Sequence, residues 1–271
     1  MPTKPKTPAA RKSATPPARK SAKPAAPRMT LAETMSALEK AGSAQTRKTY
    51  ARHGATEPMF GVSFATLKTL MKRIGVDHEL ALALWDTGNL DARNLAVKIA
   101  DPARMSRSDL DRWAGAPNIM MCGSYVAHLA AEGPHARNRC EAWLSAREQA
   151  KRCTGWLLLA ALAMGDEKMP DAWFATRLAD IEKSIQASPS PQRQAMLAAL
   201  IAIGCRGAAL RKFATTAAKR IGKIEIDHGD TACKTPDVAA TLEKTWGHAA
   251  SKGFESPAAQ ERKRESMRTR C

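Results

Sequence analysis

Apolar residues recur every three or four positions through most of this 271-residue chain, which is the spacing of one face of an α-helix. Leu67, Leu70, Met71 and Ile74 form one such face. Residues 150–164 are apolar on nearly every side, a pattern typical of a helix buried at the centre of a fold. Short turns rich in Gly and Pro separate the helical segments. We therefore predict an all-α fold, a curved α-solenoid of stacked helical hairpins.

Two local patterns add detail to this prediction. Gly204 follows an apolar helical run and is predicted to cap the C-terminus of that helix. Alternation typical of a strand is found only around Ile224–Ile226.

The N-terminal residues 1–28 have a composition unlike that of the rest of the chain. They hold eight Lys and Arg residues, no acid and seven prolines. Such a segment buries too little apolar surface to offset its chain entropy, so we predict a disordered basic tail that contacts nucleic-acid phosphates. A role in solubility or targeting is the alternative. The formal net charge of the whole chain is +17, and residues 29–271 remain basic, with 35 Lys and Arg against 26 acids.

Several protein classes are disfavoured by composition. No stretch reaches the roughly 18 consecutive apolar residues of a membrane span, and the N-terminus lacks the apolar region of a secretory signal peptide. The six cysteines are scattered, with no C-x-x-C pair, which argues against a zinc ribbon and a disulfide framework. We expect a cytoplasmic protein with reduced thiols.

Residues 60–102, FGVSFATLKTLMKRIGVDHELALALWDTGNLDARNLAVKIADP, carry a family resemblance. The Gly-Val opening, the LALALW segment and the Asp-Ala-Arg-x-Leu-Ala run resemble the first repeats of the DNA alkylation repair (AlkD-like) HEAT-repeat family. The segment 224–237, IEIDHGDTACKTPD, is similar to a C-terminal signature of one subgroup. The resemblance covers roughly residues 30–247.

The resemblance implies a curved stack of HEAT-like helical hairpins whose concave basic surface holds duplex DNA. Family members of this kind release N3- and N7-alkylated purines. We expect the HEAT-like domain to span 29–250, between the basic tail 1–28 and a flexible mixed-charge tail 251–271.

The family's catalytic acid has no counterpart in LDRWAGAPNIMMCGSYVAHL, residues 110–129. Gly123 stands where the resemblance places the catalytic Asp, Met120 where it places an earlier Asp, and Ile119 where it places a Trp. Tyr125, two residues further on, is a candidate for contacting a lesion, as is the Gly123 position itself. The nearest acids in the sequence, Asp111 and Glu132, are the candidates for a relocated acid.

Basic residues in two regions are candidates for contacting the DNA backbone. Lys151 and Arg152 open the central helix, and the resemblance implies that this Arg contacts a phosphate; a solvated helix end is the alternative. A second set forms a stripe along the predicted helix 208–223, again with an ordinary wet surface as the alternative; it comprises Arg211, Lys212, Lys219, Arg220 and Lys223. Lys234 is predicted to contact a phosphate or a neighbouring carboxylate.

Asp227, His228, Asp230 and Cys233 are metal-compatible residues close together, but they lack the regular spacing of a transition-metal site. We predict instead that Asp230 or Thr231 caps a turn, and we expect neither a metal nor a cofactor.

Three functions remain open. The first is a DNA-binding protein that recognises damaged or distorted duplex with little catalysis. The second is a DNA N-glycosylase for N3- and N7-alkylated purines with a relocated acid, and the third is a HEAT-type protein-interaction scaffold. The first is favoured, with duplex DNA as the partner, a monomeric state and association with the nucleoid.

Overall fold

The computed structural model describes residues 28–117 and 122–270, and these residues form fourteen α-helices and no strand. The helices are α1 (Leu31–Ala41), α2 (Ala44–Arg52), α3 (Phe64–Ile74), α4 (His78–Asp86), α5 (Leu90–Ile99), α6 (Arg107–Ala114), α7 (Gly123–Ala131), α8 (Ala136–Leu144), α9 (Gln149–Gly165), α10 (Asp171–Ser184), α11 (Ser190–Gly204), α12 (Ala208–Ile221), α13 (Val238–Ser251) and α14 (Pro257–Glu261). The all-α prediction is confirmed. Residues 224–226 are a loop rather than a strand, because no other segment of the described residues pairs with them as a strand.

The helices stack in two layers. Helices α5, α7, α9, α11 and α13 pack side by side in chain order as an inner layer, and α3 packs against α5 at its start. Helices α4, α6, α8, α10 and α12 cover this layer from the other side, each packed against an inner helix next to it in the chain. The predicted stack of helical hairpins is thereby confirmed.

Helix α9 lies at the centre of the stack. It packs against α7 and α11 in its own layer and against α8 in the other, which is why its sequence is apolar nearly all round. Gly155 allows the approach of α8, since a Cβ at that position would come within 2.9 Å of the backbone nitrogen of Leu144.

Gly204 differs from its prediction. It is the last residue of α11, and Cys205 occupies the C-cap. A Cβ on Gly204 would lie 2.8 Å from Leu242 of α13 and 3.0 Å from Ala214 of α12. The glycine is therefore needed for close helix packing and not for a left-handed cap.

Stacked aromatic rings and a buried carboxylate join the helices and loops between α2 and α6. Trp85 of α4 and Trp113 of α6 are buried and stack with ring centroids 4.1 Å apart. The buried carboxylate of Asp91 accepts hydrogen bonds from the backbone N–H groups of residues 60–62, which ties the loop before α3 to the start of α5. A buried carboxylate with three N–H donors satisfies the requirement that buried charge be paired.

Residues 256–270, which we call the C-terminal strap, do not form the flexible tail expected from their mixed charge. The strap runs along the C-terminal ends of four inner helices. The N–H of Ala258 donates to the carbonyl of Cys205 after α11, and Arg262 pairs with Glu167 after α9. Further along, the buried Arg268 donates to Glu132 at the end of α7 and to two carbonyls in the last turn of α5.

The physical reason for this order is that helix C-termini leave carbonyl groups without intrahelical partners and carry partial negative charge. Ala258 and Arg268 of the strap donate hydrogen bonds to such carbonyls, and Arg262 and Arg268 bring positive charge to these helix ends. In the sequence, the mixed charges of residues 251–271 resemble those of a solvated tail, and nothing there indicates the distant partners of these arginines. The expectation of a flexible tail was therefore wrong for the strap.

Of the helices in the described part of the chain, none combines the length and apolar character needed to cross a membrane.

Candidate functional site

A cleft of about 700 Å³, which we call the central cleft, lies over the N-terminal halves of α7, α9 and α11. One rim is formed by Arg52, His53 and Gly54 at the end of α2, and the opposite rim by the loop between α12 and α13. The floor is formed by uncharged residues; it includes Gly123, Ser124, Gln149, Cys153, Leu157, Gln194 and Ala198.

Three helices begin in this cleft. The N-cap residues of α7, α9 and α11 are Cys122, Glu148 and Pro189, and none of the three caps its helix with a side-chain hydrogen bond. The first backbone N–H groups of a helix have no intrahelical acceptor, and the helix dipole makes this end partly positive. In α11 fewer of these groups are present, because Pro189 and Pro191 have no N–H. Such ends are suited to bind phosphate oxygens.

Gly123 is the first residue of α7 and lines the central cleft. Among the described residues, a Cβ built there would meet only Leu157 Cδ1, at 3.9 Å, so packing against this part of the chain does not impose the absence of a side chain. Gly123, at the position where the family resemblance implies the catalytic acid, therefore lines the cleft and has no side chain there. Ile119 and Met120 lie outside the described residues.

The two acids considered as replacements have structural partners elsewhere. Asp111 accepts from Trp143 Nε1 at 2.6 Å and pairs with Arg139, which joins α6 to α8 in the outer layer. Glu132 pairs with Arg268 of the strap at 2.6 Å. Neither residue lines the central cleft, so the structure does not bring Asp111 or Glu132 to Gly123.

Tyr125, the second lesion-facing candidate, points towards α5. Its ring lies 4.1 Å from the ammonium nitrogen of Lys98 and 6.3 Å from the ring of Phe64. It does not line the central cleft, whereas Ser124 beside it does.

The basic residues that open α9 are largely engaged with the protein. Arg152 donates to Gln192 of α11 and to the carbonyls of Ala146 and Arg147, so it closes the turn between α8 and α9. Lys151 pairs with Glu148 one turn earlier. A phosphate contact by Lys151 or Arg152 stays a prediction.

The predicted basic stripe on α12 divides into two parts. Arg211 lies over the ring of Trp246. Arg220 forms an ion pair with Glu182 of α10, and the hydrogen bonds from the Arg220 guanidinium lower the pKa of the Glu182 carboxyl. Lys212 is exposed. Lys219, Lys223 and Lys234 instead line a second opening of about 1050 Å³, which we call the basic groove.

The segment Asp227–Cys233, which we call the ridge, stands between the two openings, since Asp227, His228 and Cys233 line both. The N–H of Asp227 donates to Ser190 Oγ at the start of α11, and its carboxylate accepts from the N–H of Gly229. Thr231 accepts from the N–H of Cys233, so Thr231 does stabilise a turn as predicted, while Asp227 takes the part proposed for Asp230.

Two findings concern metal binding and nucleophilic chemistry at the ridge and the central cleft. No group of three or more metal-ligating side chains is found within residues 28–117 and 122–270. Burial raises the pKa of the Cys122 thiol to about 12, so this thiol beside Gly123 is a poor nucleophile near neutral pH.

Sequence reasoning missed Asp227, Gln194 and the Arg52–Gly54 rim as parts of the cleft. Asp227 was weighed only as a metal ligand. The other positions carry no local signal, because they become neighbours only through the stacking of α2, α7, α9 and α11.

The chain is similar to a protein of known structure and to two proteins from Listeria species. The chain is 29% identical to a solved protein described as belonging to a new family of proteins related to the HEAT-like repeat DNA glycosylases with affinity for branched DNA structures; the TM-score is 0.73, over 84% of this chain and 98% of that one. It is 24% identical to the uncharacterized protein Lmo0209 of Listeria monocytogenes and 22% identical to the uncharacterized protein Lin0241 of Listeria innocua, in both cases over 73% of this chain and 89% of the relative.

A family model described as DNA alkylation repair enzyme matches residues 34–221, which run from α1 to the end of α12 and include every inner helix except α13. The two-layer helical stack and the sequence match agree, and the chain therefore belongs to the DNA alkylation repair enzyme family.

Proposed function

We propose that this protein binds duplex DNA in the central cleft and recognises DNA that is alkylated or distorted, with little or no glycosylase activity of its own. It acts as a monomer and associates with the nucleoid. The observation that carries the proposal is the convergence of three helix N-termini without side-chain caps on one cleft of a strongly basic chain. Backbone phosphates are the anions that such a surface recognises on DNA.

Family membership and the structural relative support DNA as the partner. The relative is described as having affinity for branched DNA structures, and branched DNA is distorted duplex. The net charge of +17 supports association with a polyanion over a protein-interaction scaffold, since an interaction scaffold does not require an excess of one charge.

Weak catalysis follows from the chemistry of base release. Alkylation of a purine ring nitrogen leaves the base cationic, and breaking the glycosidic bond builds positive charge on the deoxyribose. A carboxylate close to the sugar stabilises that charge. At Gly123 no side chain is present to do so, and Asp111 and Glu132 are held by other residues.

One observation favours a second candidate, an N-glycosylase for N3- and N7-alkylated purines with a relocated acid. Asp227 is the one carboxylate among the described residues that line the central cleft. If the unmodified protein releases N7-methylguanine from duplex DNA, Asp227→Asn should abolish the release. Asp230→Asn serves as the control, because Asp230 is an exposed carboxylate in the same segment that does not line the cleft.

The binding proposal is tested by placing one negative charge in the cleft. Gln194→Glu puts a carboxylate on the cleft face of α11, and Gln260→Glu makes the same change on α14 at the opposite ends of the inner helices. A charge a few ångströms from a phosphate costs about 1 kcal/mol in water, or roughly fivefold in affinity. Fluorescence anisotropy at low salt should show this loss for Gln194→Glu alone.

Equal affinities for both variants would place the DNA outside the cleft. No detectable binding by the unmodified protein would favour the interaction-scaffold alternative.

A further inference from the structure

We propose that the basic groove holds a nucleic-acid strand that parts from the duplex in the central cleft, so that the ridge stands at a fork in the DNA. This inference rests on the proposed function, because it needs a duplex in the cleft. It adds a second binding site and names the kind of distortion that the protein recognises.

The basic groove lies between α12, the ridge and the start of α13. Its basic residues are Arg193, Lys219, Lys223 and Lys234. Arg193 is held by the protein, because it donates to the carbonyls of Gln186, Ser188 and Glu225. Lys223 pairs with Glu225 at 2.8 Å, with both side chains largely exposed.

Lys219 and Lys234 are exposed and form no ion pair with any described residue. Their ammonium groups are the uncommitted positive charges of the groove. The groove also contains Asp227 and Asp237, and both accept backbone N–H groups, of Gly229 and Ala240. Flexible lysines are suited to follow a phosphodiester backbone as point charges, without reading bases.

The ridge is anchored well enough to separate two arms of DNA. Besides the bond from Asp227 to Ser190, Gln186 donates to the carbonyls of Ile221 and Lys223, which holds the chain as it leaves α12. The side chains of His228 and Thr235 lie 3.1 Å apart and join the two sides of the ridge.

The two openings differ in what they offer to DNA. The central cleft has helix N-termini and a floor of uncharged residues, while the groove on the other side of the ridge has the two lysines, Lys219 and Lys234. A continuous duplex lying in the cleft passes on one side of the ridge. A DNA whose strands separate at that point places phosphates on both sides and gains the lysine contacts.

The test compares a forked DNA, a duplex ending in two single-stranded arms, with a fully paired duplex of the same sequence. The double variant Lys219→Gln/Lys234→Gln removes the free charges of the groove. The matched control Lys168→Gln/Lys263→Gln removes two exposed lysines, one beside the strap and one in it. Affinities are measured for both DNAs over a range of salt concentrations.

We expect the unmodified protein to bind the forked DNA more tightly than the duplex. In the groove variant this preference should fall at least roughly fivefold, and the log–log salt slope for the forked DNA should fall by about 1.4, at about 0.7 per lost contact to a single strand. The slope for the duplex should be unchanged, as should every value for the control.

A groove variant that loses affinity for both DNAs in the same proportion, or for neither, would overturn the inference while the proposed function stands. Failure of the unmodified protein to bind any DNA would instead refute the proposed function, and the inference with it.

Discussion

Asp91 has a structural role in the fold, whereas Gly123 lies at the candidate functional site. Asp91 is a fully buried carboxylate with three backbone donors, and it joins a loop to α5. Gly123 lies at the opening of α7, where an acid would face the cleft and no contact with residues 28–117 or 122–270 demands a glycine. The chain thus has a carboxylate where the fold needs one, and no side chain at the position where the family resemblance implies a catalytic acid.

The first prediction concerns Gly123→Asp. A carboxylate in the first turn of a helix is favourable, and the cleft has space for it, so the variant should fold. It should release N7-methylguanine from duplex DNA at least roughly tenfold faster than the unmodified protein, as part of the ~10²–10³ that such electrostatic groups contribute. Gly123→Asn, of equal size and uncharged, should show no gain.

Rapid base release by the unmodified protein would contradict the account of Gly123. The Asp227→Asn variant would then show whether the ridge supplies the acid.

At the scale of elements, the inner helices are held at both ends in different ways. The N-terminal ends of α7, α9 and α11 open into the central cleft, and the C-terminal ends of α5, α7, α9 and α11 are joined by the strap. Because the strap links α5, α7, α9 and α11, it limits how far these helices can shift relative to one another. The shape of the cleft depends on those positions.

The second prediction follows from Arg268. Its guanidinium is buried and donates to Val97, Lys98 and Glu132, so Arg268→Ala leaves buried acceptors without partners. The free energy of unfolding in urea should fall by about 3–5 kcal/mol. Arg264→Ala, which removes an exposed arginine of the same strap, should cost about 0–1 kcal/mol. Similar losses for the two variants would mean that Arg268 is not the anchor.

The helices themselves could be predicted from the sequence, because each carries its own apolar face and the central helix α9 is apolar all round. The strap could not, since the partners of Arg262 and Arg268 are carboxylate and carbonyl oxygens far away in the chain. Gly204 shows the same limit, because a glycine at a helix end suggests a cap, whereas its reason lies in Leu242. For the site, Gly123 was found through the family resemblance and Asp227 only through the fold.

At the scale of the whole molecule, positive charge is divided between residues 1–28 and residues 29–271. Eight cations lie in 1–28, and the rest of the chain is also basic. The cations of residues 1–28 and those of residues 29–271 both release counterions when they neutralise phosphates. The two contributions can therefore be separated by their salt dependence.

The third prediction is that deletion of residues 1–28 lowers the log–log salt slope of duplex binding by several units, at about 0.9 for each lost phosphate contact. Binding should persist at low salt, because the central cleft is intact. Equal slopes for the truncated and full-length proteins would show that residues 1–28 do not contact DNA.

The central claim, that DNA occupies the central cleft, is tested most directly by the reactivity of Cys233. This exposed thiol lines the cleft from the ridge, whereas Cys140 is buried and serves as the control for intact structure. The rate of alkylation by iodoacetamide is read for each cysteine by peptide mass spectrometry, with and without saturating duplex at low salt. We predict that the duplex slows alkylation of Cys233 several-fold while Cys140 stays unlabelled; an unchanged Cys233 rate in the DNA-saturated protein would contradict the claim.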